Sequence, residues 1–567
     1  MCTGTIQFCR EGNCTCHAFK EAFCRCQGIS VPGPASGSGE KPGYAKRSRG
    51  IARASLLHNK GENCLLFQSF EFAAFLLCVL CIFFLVPARA RVAVLTLANL
   101  VFFCYAASYA VIWLLVSVVS TYWCARLLEK CSERKYRIRL TAACIVINVG
   151  LLAVFRYFPL WDNLINTAYG HGLRKVKLDI AGDLGLLAPL GISFYTLQAL
   201  GYLLDVSRGK YAAEKSFLKY AAFVSFFPNI TSGPIQRADF FLPQLEKMVS
   251  ATRRSLLDYD RMLQGCAGIL WGFFLKMVIA DRVSVSVDYL YRMYQNTDSF
   301  TMLAAALFYA VQIYCDFASY SCIAAGVARL MGFEPVQNFR QPYLAVGIRD
   351  FWDRWHMSLS SWLKDYIYIP LGGSRCSFVR RNINVLITFL VSGLWHGGAF
   401  RYLVWGMLHG LFQVLENCGI LMARSLGVPK VKKWPAWLQA FWKLGYGLFT
   451  FGAVTCFWVF FRAESVEVAR VCLTNLFTRW QGFLYVREFI FVMGLDKTEF
   501  LVAAAAIAIA LFVDIISEWK KKEFSLWICE TGYWSGTLFC VLLVAMIFVF
   551  GKYGTGYNPN DFIYMQF

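Results

Sequence analysis

Val92–Ala125, VAVLTLANLVFFCYAASYAVIWLLVSVVSTYWCA, runs for 34 residues without a charged side chain. A helix needs only about 20 apolar residues to cross the hydrocarbon core of a bilayer. The run therefore reads as two spans joined by a short turn near Ala106–Tyr109. Before it lies a first apolar segment, Leu65–Val86, closed by Pro87-Ala-Arg89-Ala-Arg91, and after it the strongly basic loop Arg126–Arg139. Two spans separate the basic loops, so both belong on one face, which the positive-inside bias makes cytoplasmic. Leu65 is then outside. Further apolar segments, at about Leu140–Phe155, Leu184–Leu204, Gly265–Ile279, Met302–Met331, Ile383–Trp395, Tyr402–Val414, Leu444–Phe461, Phe500–Val513 and Leu538–Phe550, bring the expectation to 11–13 spans.

Composition agrees: 58% of the residues are hydrophobic and 17% aromatic, as in a polytopic membrane protein and unlike a soluble enzyme. The formal charge of +21 does not point to nucleic acid, because the basic residues fall in short loops between apolar runs. There they act as topology signals and contact anionic lipid headgroups. Sixteen of the 22 cysteines are scattered singly in or beside apolar segments, where cysteine behaves as a small buried hydrophobe.

The other six cysteines crowd the first 26 residues. Residues 1–63 differ from the rest: Cys14-Thr-Cys16-His17 and Cys24-Arg-Cys26, a Pro/Gly/Ser stretch Val31–Gly43, then Lys46-Arg47-Ser-Arg49. No apolar core of signal-peptide type follows. A zinc site, a disordered tail and an artefact of start-codon choice, with translation beginning near Leu65, are the three readings.

Two places break the pattern of plain spans. Phe217–Phe227 is short and runs into Pro228-Asn-Ile-Thr-Ser-Gly233-Pro234-Ile-Gln-Arg237, where prolines and a glycine end the helix. Irregular backbone at membrane depth is tolerated only inside protein or along a wet cavity, so a re-entrant loop at a site is expected, with Gly233 and Pro234 as contact candidates. A 3.6-residue reading of Arg349–Tyr366 puts Trp352, Trp355, Leu359, Trp362 and Tyr366 on one face and Asp353, His356, Ser360 and Lys364 on another. That is an amphipathic interfacial helix with a tryptophan face in the acyl boundary. Asp353 and Ser360, one turn either side of His356, are placed to orient its ring or hold its proton.

Three of the six histidines fall between Asn338 and Gly410. His356 sits in Arg354-Trp355-His356-Met357-Ser358, and His396 closes an apolar run in Gly393-Leu-Trp395-His396-Gly397-Gly398. Ionisable groups in lipid are functional candidates by default, and the glycines beside His396 suggest close approach of a substrate. His409 reads as packing. Two histidines suit acyl transfer from a thioester to an alcohol, which needs a base for the hydroxyl and a donor for the developing charge. A serine hydrolase would want Gly-x-Ser-x-Gly, which does not occur. No acidic or cysteine partner stands at metal-ligand spacing, so no metal is expected. A transporter or channel is the competing class, since broken spans also mark substrate pathways.

The set Pro189-Leu-Gly-Ile-Ser-Phe-Tyr-Thr-Leu-Gln198, Phe227-Pro-Asn-Ile-Thr-Ser-Gly-Pro-Ile235, Asn338-Phe-Arg-Gln-Pro-Tyr343, Asp350-Phe-Trp-Asp-Arg-Trp-His-Met-Ser-Leu-Ser360, Tyr366-Ile-Tyr-Ile-Pro-Leu-Gly-Gly373 and Gly393-Leu-Trp-His-Gly397 resembles the membrane-bound O-acyltransferases. The resemblance runs from about Leu65 to Asp561–Phe567 and leaves residues 1–63 unmatched. It implies an all-α membrane fold around a core tunnel, the family's catalytic histidine at His396 and its second motif histidine at His356. Arg354 would meet donor phosphates. Trp352, Trp355, Ser360, Trp395 and Asn338 are further contact candidates.

Within the family, Trp458-Val-Phe-Phe-Arg462-Ala-Glu-Ser465 and the long C-terminal part resemble the bacterial alginate O-acetyltransferase branch, with teichoic acid D-alanyl transferases as nearest rivals. Gly397-Gly398-Ala399-Phe400 departs from the Gly-Ala-Asn-Phe frequent in that branch, which puts the loop contacts in doubt. The implied protein lies in the bacterial plasma membrane and holds no bound cofactor. It takes acetyl from acetyl-CoA or an acyl-carrier thioester and works with an extracytoplasmic acetyltransferase partner on an extracellular polysaccharide.

Overall fold

The computed structural model describes residues 67–107, 110–170, 189–252, 255, 257–429, 431–480 and 494–553. The expectations for residues 1–63 and for Asp561–Phe567 lie outside the described residues. Every regular element described is helical. The 34-residue uncharged run divides as expected, into α2 (Arg91–Ala107) and α3 (Val111–Lys130), after α1 (Phe70–Leu85), whose first turn is capped by Ser69. Helix α4 (Arg134–Gly170) is far longer than its apolar centre. Arg137, in the basic loop, donates to Cys131 O at 3.1 Å and to Ser207 O at 3.1 Å, tying the α3–α4 turn to the end of α5 (Ile192–Ser207).

The chain then enters and leaves the bundle from one face. Helix α6 (Phe217–Val224), the single turn α7 (Phe227–Ile230) and α8 (Ala238–Ser250) form a re-entrant hairpin. Its entry is held by the Tyr122 hydroxyl on Lys215 O at 2.7 Å, and its exit by Arg91 on Met248 O and Ala251 O at 3.0 and 2.7 Å. Every residue from Ala222 to Gln236 is buried. The broken backbone at the tip is satisfied by Asn99 of α2: its Nδ2 donates to Ala222 O and Ser225 Oγ, and its Oδ1 accepts from Phe227 N. Irregular backbone at this depth survives because a side chain supplies what lipid cannot.

Helix α9 (Tyr259–Phe273) passes through a π-helical stretch, Phe274–Ala280, into α10 (Asp281–Arg292), packed along the 32-residue α11 (Ser299–Leu330). The wider π turn carries Lys276, whose ammonium lies 2.7 Å from Asp281 and 2.6 Å from Asp316, all three residues buried. The sequence reading passed over this triad. After α11 come α12 (Ile348–Trp352), α13 (Met357–Leu363), α14 (Phe378–His396), α15 (Phe400–Ser425), α16 (Ala436–Arg462), α17 (Val466–Thr478), α18 (Lys497–Lys520), α19 (Phe524–Cys529) and α20 (Tyr533–Phe550). Among the described residues, eight helical stretches are long and apolar enough to cross a membrane, with α1 a shorter apolar one. Leu444, Leu448 and Phe449 of α16 and Leu538, Phe548 and Val549 of α20 are exposed, as on helices that face lipid. The chain is an all-α polytopic membrane protein.

One expectation fails. Arg349–Tyr366 is not a continuous interfacial helix: α12 stops at Trp352, the chain turns through His356, and α13 restarts at Met357. The tryptophan face meets protein, not lipid. Trp355, Leu359, Trp362 and Tyr366 are buried, with the Trp362 indole donating to Leu197 O at 2.9 Å and the Tyr366 hydroxyl to Asp205 at 2.7 Å. Amphipathic rings bury well where a polar partner waits, and α5 provides both.

Candidate active site

His356 has a left-handed backbone, φ 44°, which a side-chain-bearing residue adopts at a cost. Two hydrogen bonds clamp it there, from Met357 N to Asn338 O and from Arg340 N to Arg354 O, both 2.9 Å. The turn so formed presents the imidazole to Asn338 Oδ1 at 3.0 Å. The same oxygen accepts from the backbone N–H of Ser358 at 3.3 Å and from its hydroxyl at 2.9 Å, while Asn338 Nδ2 donates to Ser321 Oγ at 3.1 Å. A backbone N–H only donates, so the atom facing the imidazole is the amide oxygen and Nδ1 carries the proton. Nε2 is left with its lone pair, buried and without a partner. Burial also pushes the imidazole down to about 3, so the ring is neutral. Ser358 Oγ accepts from Ile235 N at 3.0 Å, which joins the re-entrant hairpin to this network.

His396 ends α14. The Tyr157 hydroxyl donates to Leu394 O at 2.6 Å, and the Arg156 guanidinium reaches Trp395 O and His396 O, placing a cation at the negative end of the helix. The imidazole, 3% exposed, is wedged edge-on between Trp395, Trp405 and Phe461 at centroid distances of 4.9, 5.0 and 5.2 Å. Trp395 also meets His356, at 5.9 Å, so one indole stands between the two histidines. His409 is buried against Trp352, Trp405 and Phe457.

Several of the expected contacts are placed otherwise. Asp353 is exposed, and the residue that holds His356 Nδ1 is Asn338, because the turn at His356 removes the helical spacing that would have brought Asp353 and Ser360 alongside. Ser360 donates instead to Trp355 O at 3.1 Å. Arg354 is committed to Asp350 at 2.8 Å and to Glu518 at 2.7 Å, charge-assisted bonds that leave it engaged within the protein. Trp352 and Trp355 pack in the aromatic cluster around Trp405 and Trp458. Gly233 lies within the buried hairpin tip, where a Cβ would sit 2.5 Å from Asn229 Cα, and Pro234 O accepts from Asn229 Nδ2. The glycines after His396 serve close packing rather than substrate approach. A Cβ on Gly397 would meet the Tyr402 ring at 2.6 Å, and one on Gly398 the Tyr157 ring at 2.7 Å.

A cleft reaches Asn338 and Ser321. Its other walls include Tyr314, Arg329, Gln341 and Asp514. Asp514 accepts from the Tyr314 hydroxyl, and Arg329 pairs with Glu523 at 2.6 Å and with Ser525 Oγ at 2.8 Å. Glu334, just past the end of α11, is bonded through its N–H to Gln244 of α8, whose carboxyl end is held by Arg91. The cleft therefore lies toward the face of the basic loops, whereas Arg156, 22 residues into α4 from Arg134, and His396 lie toward the other. Asp514, Arg329 and Arg156 were missed by sequence reading; the signal that would have found them is a lone charge inside an apolar run. Among the described residues, no group of three His, Cys, Asp or Glu side chains is placed to hold a metal.

Residues 212–459 match the model of the membrane-bound O-acyltransferase family. The probable alginate O-acetylase of Pseudomonas aeruginosa is 35% identical over 329 residues, covering 57% of this chain and 58% of that protein. The probable alginate O-acetylase of Azotobacter vinelandii is 31% identical over 393 residues, 68% of this chain and 73% of that protein. The peptidoglycan O-acetyltransferase of Helicobacter pylori is 29% identical over 408 residues, 67% of this chain and 73% of that protein. The match thus spans less than two thirds of the Pseudomonas protein and nearly three quarters of the other two. With the family motifs lying in and around the matched region and assembled about two buried histidines, the chain belongs to the membrane-bound O-acyltransferase family.

Proposed function

We propose that this chain moves a short acyl group, most simply acetyl, from a thioester presented at the face of the basic loops to a hydroxyl of a polysaccharide at the opposite face. The observation that carries the reading is the tautomer lock on His356. Asn338, which lines the cleft, holds Nδ1–H and leaves the neighbouring His356 with a buried, neutral Nε2 as proton acceptor. His396, beyond Trp395 and toward the other face, is the general base for the acceptor hydroxyl, with its helix end steadied by Arg156. The thioester is acetyl-CoA or an acyl-carrier conjugate. The names of the relatives, which speak of alginate and peptidoglycan, support a polysaccharide acceptor, and an extracytoplasmic partner that completes the transfer belongs to the same reading.

The test is a strain lacking the gene, complemented with the wild-type chain or with His396→Ala. Wild type restores acetyl esters on the cell's polysaccharide and His396→Ala, present in the membrane at the same level, does not. Restoration of D-alanyl esters by the wild type, with no change in acetyl, replaces this reading by transfer to teichoic acid; full acetylation by His396→Ala removes the catalytic role of that ring.

A further inference from the structure

Attack on an acyl carbonyl puts negative charge on its oxygen, and the largest catalytic contribution usually comes from a donor already aimed at that position in a water-poor site. Around the two histidines such donors are few. Phe194 and Phe317 pack against His356 and Phe461 against His396. The N–H of Gly397 is spent on Leu394 O, and both donors of Ser358 are spent on Asn338. Among the described residues, the indole Nε1 of Trp395, whose ring touches both imidazoles, is a buried N–H without a hydrogen-bond partner. Its ring is edge-on to His356 and to His396. A buried donor with no acceptor is destabilising and calls for an explanation, of which a catalytic role is one. Trp405 Nε1 is likewise without a partner, but its ring touches His396 and His409 and not His356.

We propose that Trp395 is a catalytic residue whose indole N–H donates to the acyl carbonyl oxygen. The inference rests on the acyl-transfer reading above. The acceptor hydroxyl oxygen bonds to the carbonyl carbon of the thioester while its proton passes to His396. The carbonyl π pair moves onto oxygen, where the Trp395 N–H receives it. Collapse restores the C=O bond, breaks the C–S bond and expels the thiolate, which takes the proton back from His396. No other reactant is needed.

Two variants separate the N–H from the ring. Trp395→Phe keeps an aromatic ring between the histidines, and replacement of Trp395 by 3-benzothienylalanine keeps the bicyclic shape with sulfur in place of N–H. Each is produced as the full chain in the deletion strain, and the initial rate of polysaccharide ester formation is compared with wild type at equal membrane level. The expected result is a fall of about 100- to 1,000-fold for both, the scale seen when one oxyanion donor is removed. Rates within threefold of wild type for the benzothienyl variant overturn the proposal, whatever Trp395→Phe does, because a loss in Trp395→Phe alone reports packing. Failure of the underlying reading is visible separately, as a wild-type chain that restores no ester or a His396→Ala chain that restores it fully.

Discussion

Asn338 Oδ1 lies 3.0 Å from His356 Nδ1 and accepts at the same time from the backbone N–H of Ser358, so the imidazole is held as a single neutral tautomer. Replacing Asn338 by Ala strands that Nδ1–H in a buried site, at a cost of about 1–3 kcal/mol, and frees the ring to change tautomer. The expected outcome is a fall in turnover of roughly 5- to 150-fold, the same free energy expressed as a rate, with the protein still in the membrane. Initial rates and thermal denaturation in detergent distinguish this from unfolding; unchanged turnover would falsify the positioning role of Asn338.

The pH profile follows from the same contact. Burial lowers the His356 imidazole to about 3, so as the pH falls from 8 to 5 the ring stays neutral and Nε2 stays available. His356 therefore contributes no acid limb near 6.5 to the rate profile. Asn338→Asp places a carboxylate against Nδ1, which favours the imidazolium, raises the transition and brings an acid limb into the measured range. Stopped assays from pH 5 to 8 on the two proteins check it, and identical profiles would refute the assignment.

Much of the fold was readable from the sequence. The 34-residue uncharged run fell into two helices at the expected turn because length alone decides a span, and the proline-broken segment after Phe227 became a buried hairpin because lipid forbids any other use of such backbone. The partner of His356 was not readable. Helical spacing nominated Asp353 and Ser360, but a left-handed residue at His356 breaks the helix, and nothing local in Arg354–Ser360 announces it. The strain is offset by hydrogen bonds from Asn338, 18 positions earlier, and by Ile235, 123 positions before Ser358. Periodicity describes neighbours along a helix, and long-range clamps lie beyond it. The glycine pair failed as a substrate signal for the same reason: the atoms that require Gly397 and Gly398 to lack a Cβ are the rings of Tyr402 and Tyr157.

Lys276 offers a test of packing rather than chemistry. Its ammonium is the shared counterion of Asp281 and Asp316 in the π turn, and Phe317, next to Asp316, stands edge-on to His356 at 4.6 Å. Lys276→Met removes a shared cation from two buried carboxylates, a change of the kind that costs about 3–5 kcal/mol. A large loss of thermal stability is expected. The triple variant Lys276→Met, Asp281→Asn, Asp316→Asn should recover part of it, since the uncompensated charge is then gone. A triple variant less stable than Lys276→Met alone would count against the electrostatic account.

The hairpin of α14 and α15 supplies the sharpest packing prediction, because its control lies in the same helix. A Cβ on Gly406 would sit 2.4 Å from Phe389 O, and one on Gly393 would sit 2.4 Å from Tyr402 O. Both obstacles are backbone, so no rotamer change relieves them and the helices must move apart, carrying His396 on one and Trp405 on the other. Gly419, further along α15, has nothing within 4 Å. Gly406→Ala and Gly393→Ala should each cost about 1–3 kcal/mol, as overpacking does, and should lower turnover more than tenfold by shifting the wall of the His396 pocket. Gly419→Ala should be neutral or slightly stabilising, since alanine is the better helix former. Gly398→Ala falls between, because the obstacle there is the ring of Tyr157, which can swing aside at the expense of its bond to Leu394 O. Melting temperatures and ester-forming rates of the four variants check the order; equal behaviour of Gly406→Ala and Gly419→Ala would show that helix separation does not govern the pocket.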